Sequence, residues 1–371
     1  MKTELPMKTN HKMTRRATLA GIGSLAAVAS LPGQQNPGPK LIGEAPGRIA
    51  PMADLVNVLE FEDVAARKLA PAVYDMIAGG DRTFFERITL RPRMMVDTMG
   101  LDLTTDLFGE KLFAPIIVGP AGGQQAFHPE GELATVRGAS AAKAVMVVSN
   151  QSSQPIDKIA AASKTTLWYQ VYPDADVNAL KARIQQAVKA GCKAVCITVG
   201  APYRNSTGTP SAARLAAAKS PSMDWAVIDQ LRQGVIVPVL LKGIMSAEEA
   251  DAAVKRGVQG IIVSNHGGLR LKGVVTPIEM LPSIADAVAG RVPVLVDGGF
   301  RRGSDIYKAL ALGATAVLLA RPVLWGLAAY GADGVQAVVE RLQTDLGRTM
   351  GQCGNPNLKS ISRTAVKIHA A

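Results

Sequence analysis

Eight short apolar runs, rich in β-branched residues, recur along this 371-residue chain. They occupy residues 115–120, 144–149, 166–172, 194–199, 237–243, 260–265, 292–299 and 316–321. Amphipathic segments lie between them, at 176–190, 247–256, 304–312 and 325–346. A strand that is apolar throughout has no solvent face, so both faces of its sheet must be covered. Strands that alternate with helices meet that need as a parallel sheet under a helical layer. Eight such units predict an α/β chain closed into a (β/α)8 TIM barrel. An open, doubly wound sheet is the alternative, but no GxGxxG follows the first strand. Two helical segments, 57–68 and 71–77, precede the barrel as an N-terminal helical portion, the second ending at Gly79-Gly80.

The first residues read as an address rather than as fold. Thr14-Arg15-Arg16-Ala17-Thr18-Leu19 precedes a mildly apolar run from Leu19 to Ala26, and Ala27-Val28-Ala29 offers a small-x-small cleavage site. The run is too short to anchor in a bilayer. Paired arginines before such a run resemble a twin-arginine export signal over 1–29. That implies an exported, periplasmic or extracytoplasmic protein, by a route that carries proteins already folded and would suit an enzyme loaded with a cofactor. A disordered basic tail is the alternative. Residues 30–52, punctuated by proline and glycine, read as a flexible linker, which leaves 53–371 for the barrel domain.

The formal net charge is +11, and part of it lies in the leader, where Lys2, Lys8, Lys12, Arg15 and Arg16 face only Glu4. The remaining excess is distributed and lacks basic–aromatic interleaving, so it does not describe a nucleic-acid surface. It suits anionic small molecules or an anionic surface. Three cysteines, Cys192, Cys196 and Cys353, are too few and too scattered for a disulfide framework. Cys192 and Cys196 lack further ligand-like neighbours and read as small core residues, with no metal site expected.

Barrel enzymes gather their chemistry where the strands end. The carboxyl ends here carry Pro120-Ala121-Gly122, Ser149, Gln170 and Tyr172, Thr198, Lys242, Ser264-Asn265-His266, Asp297-Gly298-Gly299 and Ala320-Arg321. Polar groups at nearly every end, above apolar interiors, predict a ligand site on this face. His266 ends the run Gly260-Ile261-Ile262-Val263 and is one of four histidines, with His11, His128 and His369. Imidazole titrates near neutral pH, which makes His266 the candidate base. A histidine satisfied by backbone at a strand end is the alternative. Lys242 ends an apolar strand, a costly place for an ammonium without a partner or a task.

A phosphate handle follows. Asp297-Gly298-Gly299-Phe300-Arg301-Arg302-Gly303-Ser304-Asp305 leads into a helix, and Ala320-Arg321-Pro322 follows the eighth strand. Glycines let backbone approach a phosphate, a helix start contributes oriented N–H groups, and arginines supply charge. Ser304 can equally serve as a plain N-cap, and one of Arg301 and Arg302 is expected to be solvated.

With these residues placed, the chain resembles the FMN-dependent α-hydroxy-acid oxidase/dehydrogenase family, which includes glycolate oxidase and lactate oxidase. The resemblance runs from about Asn57 to Lys367. It rests on Ser264-Asn265-His266-Gly267-Gly268, on Asp297-Gly298-Gly299-Phe300-Arg301-Arg302-Gly303, on His128-Pro129-Glu130-Gly131-Glu132, and on Leu241-Lys242-Gly243. It implies FMN as cofactor. Pro120, Ala121 and Gly122 would lie along the flavin, with Ser149, Gln170 and Thr198 at its polar edge. Lys242 would stabilise negative charge on the reduced ring. Ser264, Asp297, Gly299, Arg301, Ala320 and Arg321 would hold the ribityl chain and phosphate. His266 would take the substrate hydroxyl proton, and Tyr172 would bond the substrate.

The departures fall on the substrate side, which Tyr172, His266, Met76, Leu269 and Arg270 would line. Leu269 stands where the family has an arginine that clamps the substrate carboxylate, and Arg270 follows one residue later. Met76 replaces a substrate tyrosine, and Gly200 replaces a carboxylate that orients the histidine. A second family arginine has no clear counterpart in Tyr203-Arg204-Asn205-Ser206-Thr207. A bidentate arginine–carboxylate contact has no equivalent in leucine. The expected activity is oxidation of a 2-hydroxy acid to the 2-oxo acid. The alternatives are an FMN oxidoreductase for a non-carboxylate alcohol or amine, and a flavin-binding protein without turnover. Oxygen, a quinone and a redox protein are open as electron acceptor, and the family implies a homotetramer.

Overall fold

The computed structural model describes residues 49–172, 176–200, 225–267 and 275–370. The expected export signal, the linker up to residue 48, the segment around Arg204, and Leu269 and Arg270 lie outside the described residues.

Eight parallel strands close on themselves. They are β1 (Ile116–Val118), β2 (Met146–Ser149), β3 (Leu167–Val171), β4 (Val195–Thr198), β5 (Val239–Ile244), β6 (Gly260–Val263), β7 (Val294–Asp297) and β8 (Ala316–Leu319). Each lies inside the run expected for it, except that β5 continues to Ile244. Closure comes where β8 meets β1, with Val317 opposite Ile116 and Leu319 opposite Val118. Every residue of β2, β4 and β6 is buried, as covered faces require.

The helix α1 (Val58–Lys68) precedes the barrel. Its buried Val58, Phe61, Val64 and Ala65 recur at helical spacing, and Asn57 Oδ1 caps it by accepting from the amides of Leu59 (2.9 Å) and Glu60 (3.3 Å). The helix expected at 71–77 is a single turn, Pro71–Tyr74, followed by a hydrogen-bonded turn to Ile77. The barrel's outer layer is α2 (Glu132–Ala141), α3 (Ile156–Ala162), α4 (Val177–Lys189), α5 (Trp225–Arg232), α6 (Ala247–Lys255), α7 (Pro277–Val288), α8 (Gly303–Ala311) and α9 (Arg321–Gln352).

Helix α9 is longer than its expected 325–346 and bends at Tyr330 and Gly331, where φ is −145° and +61°. The left-handed step falls on glycine, where it carries no Cβ penalty. Beyond the bend, Arg341 donates to the carbonyls of Leu55 (2.8 Å) and Met52 (3.4 Å), and the Tyr330 hydroxyl donates to Ala50. These bonds draw the last residues of the expected linker onto the barrel unit, which begins at Ile49.

The amino-terminal end of the barrel is sealed by a hairpin of Thr105–Leu107 and Glu110–Leu112, strands too short to register in the sequence. Phe108 at its turn lies 5.7 Å from the Trp168 ring, while Leu107 and Leu112 join Ile117, Cys196, Leu240 and Ile262 in the barrel interior. Carbon fills that end, and the polar residues collect at the other. Trp168 is 2% exposed. Replacing it with alanine should cost about 3–5 kcal/mol of stability, seen as a lower urea midpoint at unchanged slope. An unchanged midpoint would contradict its place as the anchor of the plug.

Candidate active site

The carboxyl ends of the strands open into one cavity. Pro120, Tyr172, Lys242, His266, Asp297, Gly299, Arg301, Ala320 and Arg321 all line it. The structure thus brings together residues from strands far apart in the chain. Met76 is 52% exposed and is not part of this wall.

At the floor, Lys242 on β5 meets Asp297 at the end of β7, Nζ to Oδ2 at 3.0 Å. Ser264, just after β6, sits between them. Its hydroxyl accepts from Lys242 Nζ at 2.8 Å and donates to Asp297 Oδ2 at 2.8 Å. It also accepts from the His266 amide at 3.2 Å. Lys242 thus has both a carboxylate partner and a place facing the cavity. The other carboxylate oxygen, Asp297 Oδ1, is buried with no hydrogen-bond partner among the described residues. A buried, unmatched acceptor at a cavity wall fits a ligand hydroxyl or N–H.

Beside this floor runs a buried polar row across β2, β3 and β4. Ser149 donates to Gln170 Oε1 at 2.9 Å, and Gln170 Nε2 donates to Thr198 Oγ1 at 2.7 Å. All three are at most 3% exposed. An amide and two hydroxyls offer both donors and acceptors, as a heterocyclic ring edge requires.

The far wall is cationic. Arg301 is 4% exposed, and its guanidinium donates to the carbonyls of Gly79 (2.8 Å) and Phe300 (2.8 Å) and lies 4.3 Å over the Trp325 ring. Burial first, and Arg321 second, pull its pKa down from the ordinary arginine range to about 9. Gly80 faces both guanidiniums. A Cβ there would stand 2.9 Å from Arg321 Nη2 and 3.0 Å from Arg301 Nη2. Helix α9 starts at Arg321 with no side-chain cap, so its positive end faces the same cavity. Two converging guanidiniums at an uncapped helix start can hold a phosphate. Arg302 is exposed, the solvated member of the pair.

The entry to helix α8 is partly occupied by its own carboxylates. Asp305 Oδ2 already accepts from the amides of Arg301 (3.0 Å) and Arg302 (2.9 Å), and Asp345 accepts from Gly303. The cap comes from Asp305 at the third helical position rather than from Ser304, and Asp305 also pairs with Arg82 at 2.9 Å. Acid at that position is a legible capping signal that the glycines and arginines overshadowed.

His266 adopts a left-handed backbone, φ +57°, and its Nε2 lies 2.8 Å from the Val199 carbonyl oxygen. A carbonyl only accepts, so Nε2 carries the hydrogen and Nδ1 is the basic nitrogen of the neutral ring. The imidazole tip fits a notch between two strand ends. A Cβ on Gly243 would stand 2.2 Å from the Val199 oxygen, and one on Gly200 would stand 3.2 Å from Nε2. A β-bulge between Lys242 and Ile244 makes room at Gly243. The position that lost its carboxylate at Gly200 is therefore filled by main chain. No sequence pattern reveals a carbonyl in that role.

The chain matches the FMN-dependent dehydrogenase family over residues 75–207 and 204–368. A peroxisomal (S)-2-hydroxy-acid oxidase of Oryza sativa subsp. japonica is 39% identical over 349 residues, spanning 84% of this chain and 95% of its own. An L-lactate oxidase of Nostoc sp. is 36% identical over 358 residues, with coverage of 84% and 98%. A crystal structure of mandelate oxidase superposes with a TM-score of 0.79 at 36% identity, over 85% of this chain and all of that one. The chain belongs to the FMN-dependent dehydrogenase family: it is an oxidoreductase on a TIM barrel, and its cofactor is FMN.

Arg301→Met should weaken FMN binding to the apoprotein by about tenfold or more and leave riboflavin, which lacks the phosphate, unaffected. With the Arg301 pKa pulled down to about 9 by burial and Arg321, FMN affinity of the apoprotein should fall as pH rises through that value. Fluorescence titration checks both. Equal losses for FMN and riboflavin would contradict the assignment.

Proposed function

We propose that this protein oxidises a 2-hydroxy acid to the corresponding 2-oxo acid, with His266 as the base. The observation that carries the proposal is an imidazole and a buried ammonium facing one cavity whose far wall is built for a phosphate. Arg301 and Arg321 would grip the phosphate of FMN, Asp297 Oδ1 and Ser264 its ribityl hydroxyls, and Ser149, Gln170 and Thr198 the polar ring edge. Pro120, Ala121 and Gly122 would form the wall along the ring.

Bound FMN supplies the acceptor for the two electrons that leave, with a hydrogen, from the substrate α-carbon. His266 takes the hydroxyl proton as the C=O bond forms. Its Nε2 lies against the Val199 carbonyl, which fixes the ring plane. Lys242, held by Asp297 and Ser264, keeps a positive charge at the cavity floor where negative charge gathers. Tyr172 lines the mouth and would bond the substrate oxygen. Relatives named as oxidases support oxygen as the acceptor that completes the cycle. The Arg15-Arg16 pair supports export of the folded, cofactor-loaded protein to a periplasmic or extracytoplasmic location.

A second proposal, oxidation of an alcohol or amine without a carboxylate, is favoured by Leu269 at the position of the family's carboxylate-clamping arginine and by Met76 standing outside the wall. Both make His266 the base. His266→Gln should retain FMN and lower kcat by about 10²–10⁴-fold, measured with whichever substrate turns over. A flavin-loaded variant with unchanged turnover would remove His266 from the chemistry.

A further inference from the structure

Within the His128-Pro129-Glu130-Gly131-Glu132 motif, the two carboxylates part company. Glu130 is exposed and pairs with Arg137, whereas Glu132, the first residue of α2, is 0% exposed. No lysine, arginine or histidine lies within ion-pair distance of Glu132 among the described residues, and its position at the start of a helix only partly offsets burial of the charge. Its Oε1 accepts three hydrogen bonds, from Gln124 N (3.1 Å), Ser153 N (2.9 Å) and Ser153 Oγ (3.2 Å). Its Oε2 is buried and has no hydrogen-bond partner among the described residues.

Those donors sit in the two loops that follow β1 and β2. In the first loop, Gln124 Nε2 holds the Ala121 carbonyl at 3.1 Å, while Gln124 Oε1 accepts from Thr135 of α2 at 2.6 Å. In the second, Ser153 Oγ also accepts from Gln125 N at 3.0 Å. The loops touch at Gly123 N, which donates to Gln151 O at 3.0 Å, and Gln151 N donates to Ser149 Oγ at 3.2 Å. A single carboxylate oxygen thereby joins the segment that carries the Pro120 wall to the segment that begins the Ser149–Gln170–Thr198 row.

We propose that Glu132 is a positioning residue for the flavin. It holds the wall Pro120–Ala121–Gly122 and the polar row at a fixed separation, and so sets the flavin's binding and its reduction potential. This role rests on the cavity being the FMN site. It works through an acceptor oxygen rather than through charge, because the second oxygen meets no donor.

The test compares wild-type protein, Glu132→Ala and Glu132→Gln. The readouts are FMN affinity, the midpoint potential of bound FMN and hydrogen exchange at the amides of Gln124 and Ser153. Glu132→Ala should weaken FMN by about tenfold or more, shift the potential and speed exchange at both amides. Glu132→Gln keeps an acceptor oxygen and should stay within about twofold of wild type. If Glu132→Ala does not fold, Ser153→Ala removes one of the three donors and should move affinity and potential in the same direction by a smaller factor. An indifferent Glu132→Ala or Ser153→Ala, or a Glu132→Gln as damaged as the alanine variant, would overturn the role. A wild-type chain that binds no FMN would overturn the flavin site itself, whereas normal wild-type binding with indifferent variants would overturn only the role of Glu132.

Discussion

The arrangement of the site depends on one largely buried ion pair, Lys242 with Asp297, bridged by Ser264. The three residues come from adjacent staves of the barrel, at the ends of β5, β6 and β7. Removing an ammonium and a carboxylate from water costs several kcal/mol each, so such a pair is weak evidence of stabilisation. What it secures is position. The pair fixes the spacing of three strand ends, points an ammonium at the cavity and leaves Asp297 Oδ1 as an unmatched acceptor. Ser264 also anchors the His266 amide, so the imidazole inherits its location from the same network.

The cavity is polarised from that point. One wall holds Arg301, whose charge is strained by burial and by Arg321. The other holds His266 in a glycine-lined notch. An anion at the first wall relieves the repulsion between two guanidiniums, so apoprotein and cofactor need each other electrostatically. At the second wall the Val199 carbonyl, 2.8 Å from Nε2, gives the imidazole a defined tautomer. Cofactor retention and substrate chemistry thus rest on separate physical devices. Sequence change at Gly200, beside the imidazole, can alter the second and spare the first.

Much of this was legible before any coordinates. Apolar runs alternating with amphipathic segments specified eight strands, because a strand buried on both faces leaves a pattern that a helix or loop does not. Strand ends then placed Lys242, His266, Asp297 and Arg321 on one face. What escaped notice was tertiary or main-chain in origin. The hairpin at Thr105–Leu112 was too short to show a period. The bend at Tyr330 falls at Gly331, a helix-stop signal that the long amphipathic pattern over 325–346 outweighed. Of the amides at the entry to α8, those of Arg301 and Arg302 are taken by Asp305 and that of Gly303 by Asp345. Val199 acts through its carbonyl, which every residue possesses, and Glu132 acts through burial, which a motif alone does not convey.

The central claim is that this cavity couples removal of a proton by the chain to removal of two electrons by FMN. Anaerobic titration of the flavin-loaded protein tests it directly, using 2-hydroxy acids matched with their amides and with the corresponding simple alcohols. The expected result is bleaching of the flavin's visible absorption by a 2-hydroxy acid. Bleaching by only the uncharged partners would move the substrate to the alternative class. A flavin that stays oxidised with every compound would contradict the claim and leave a binding protein without turnover.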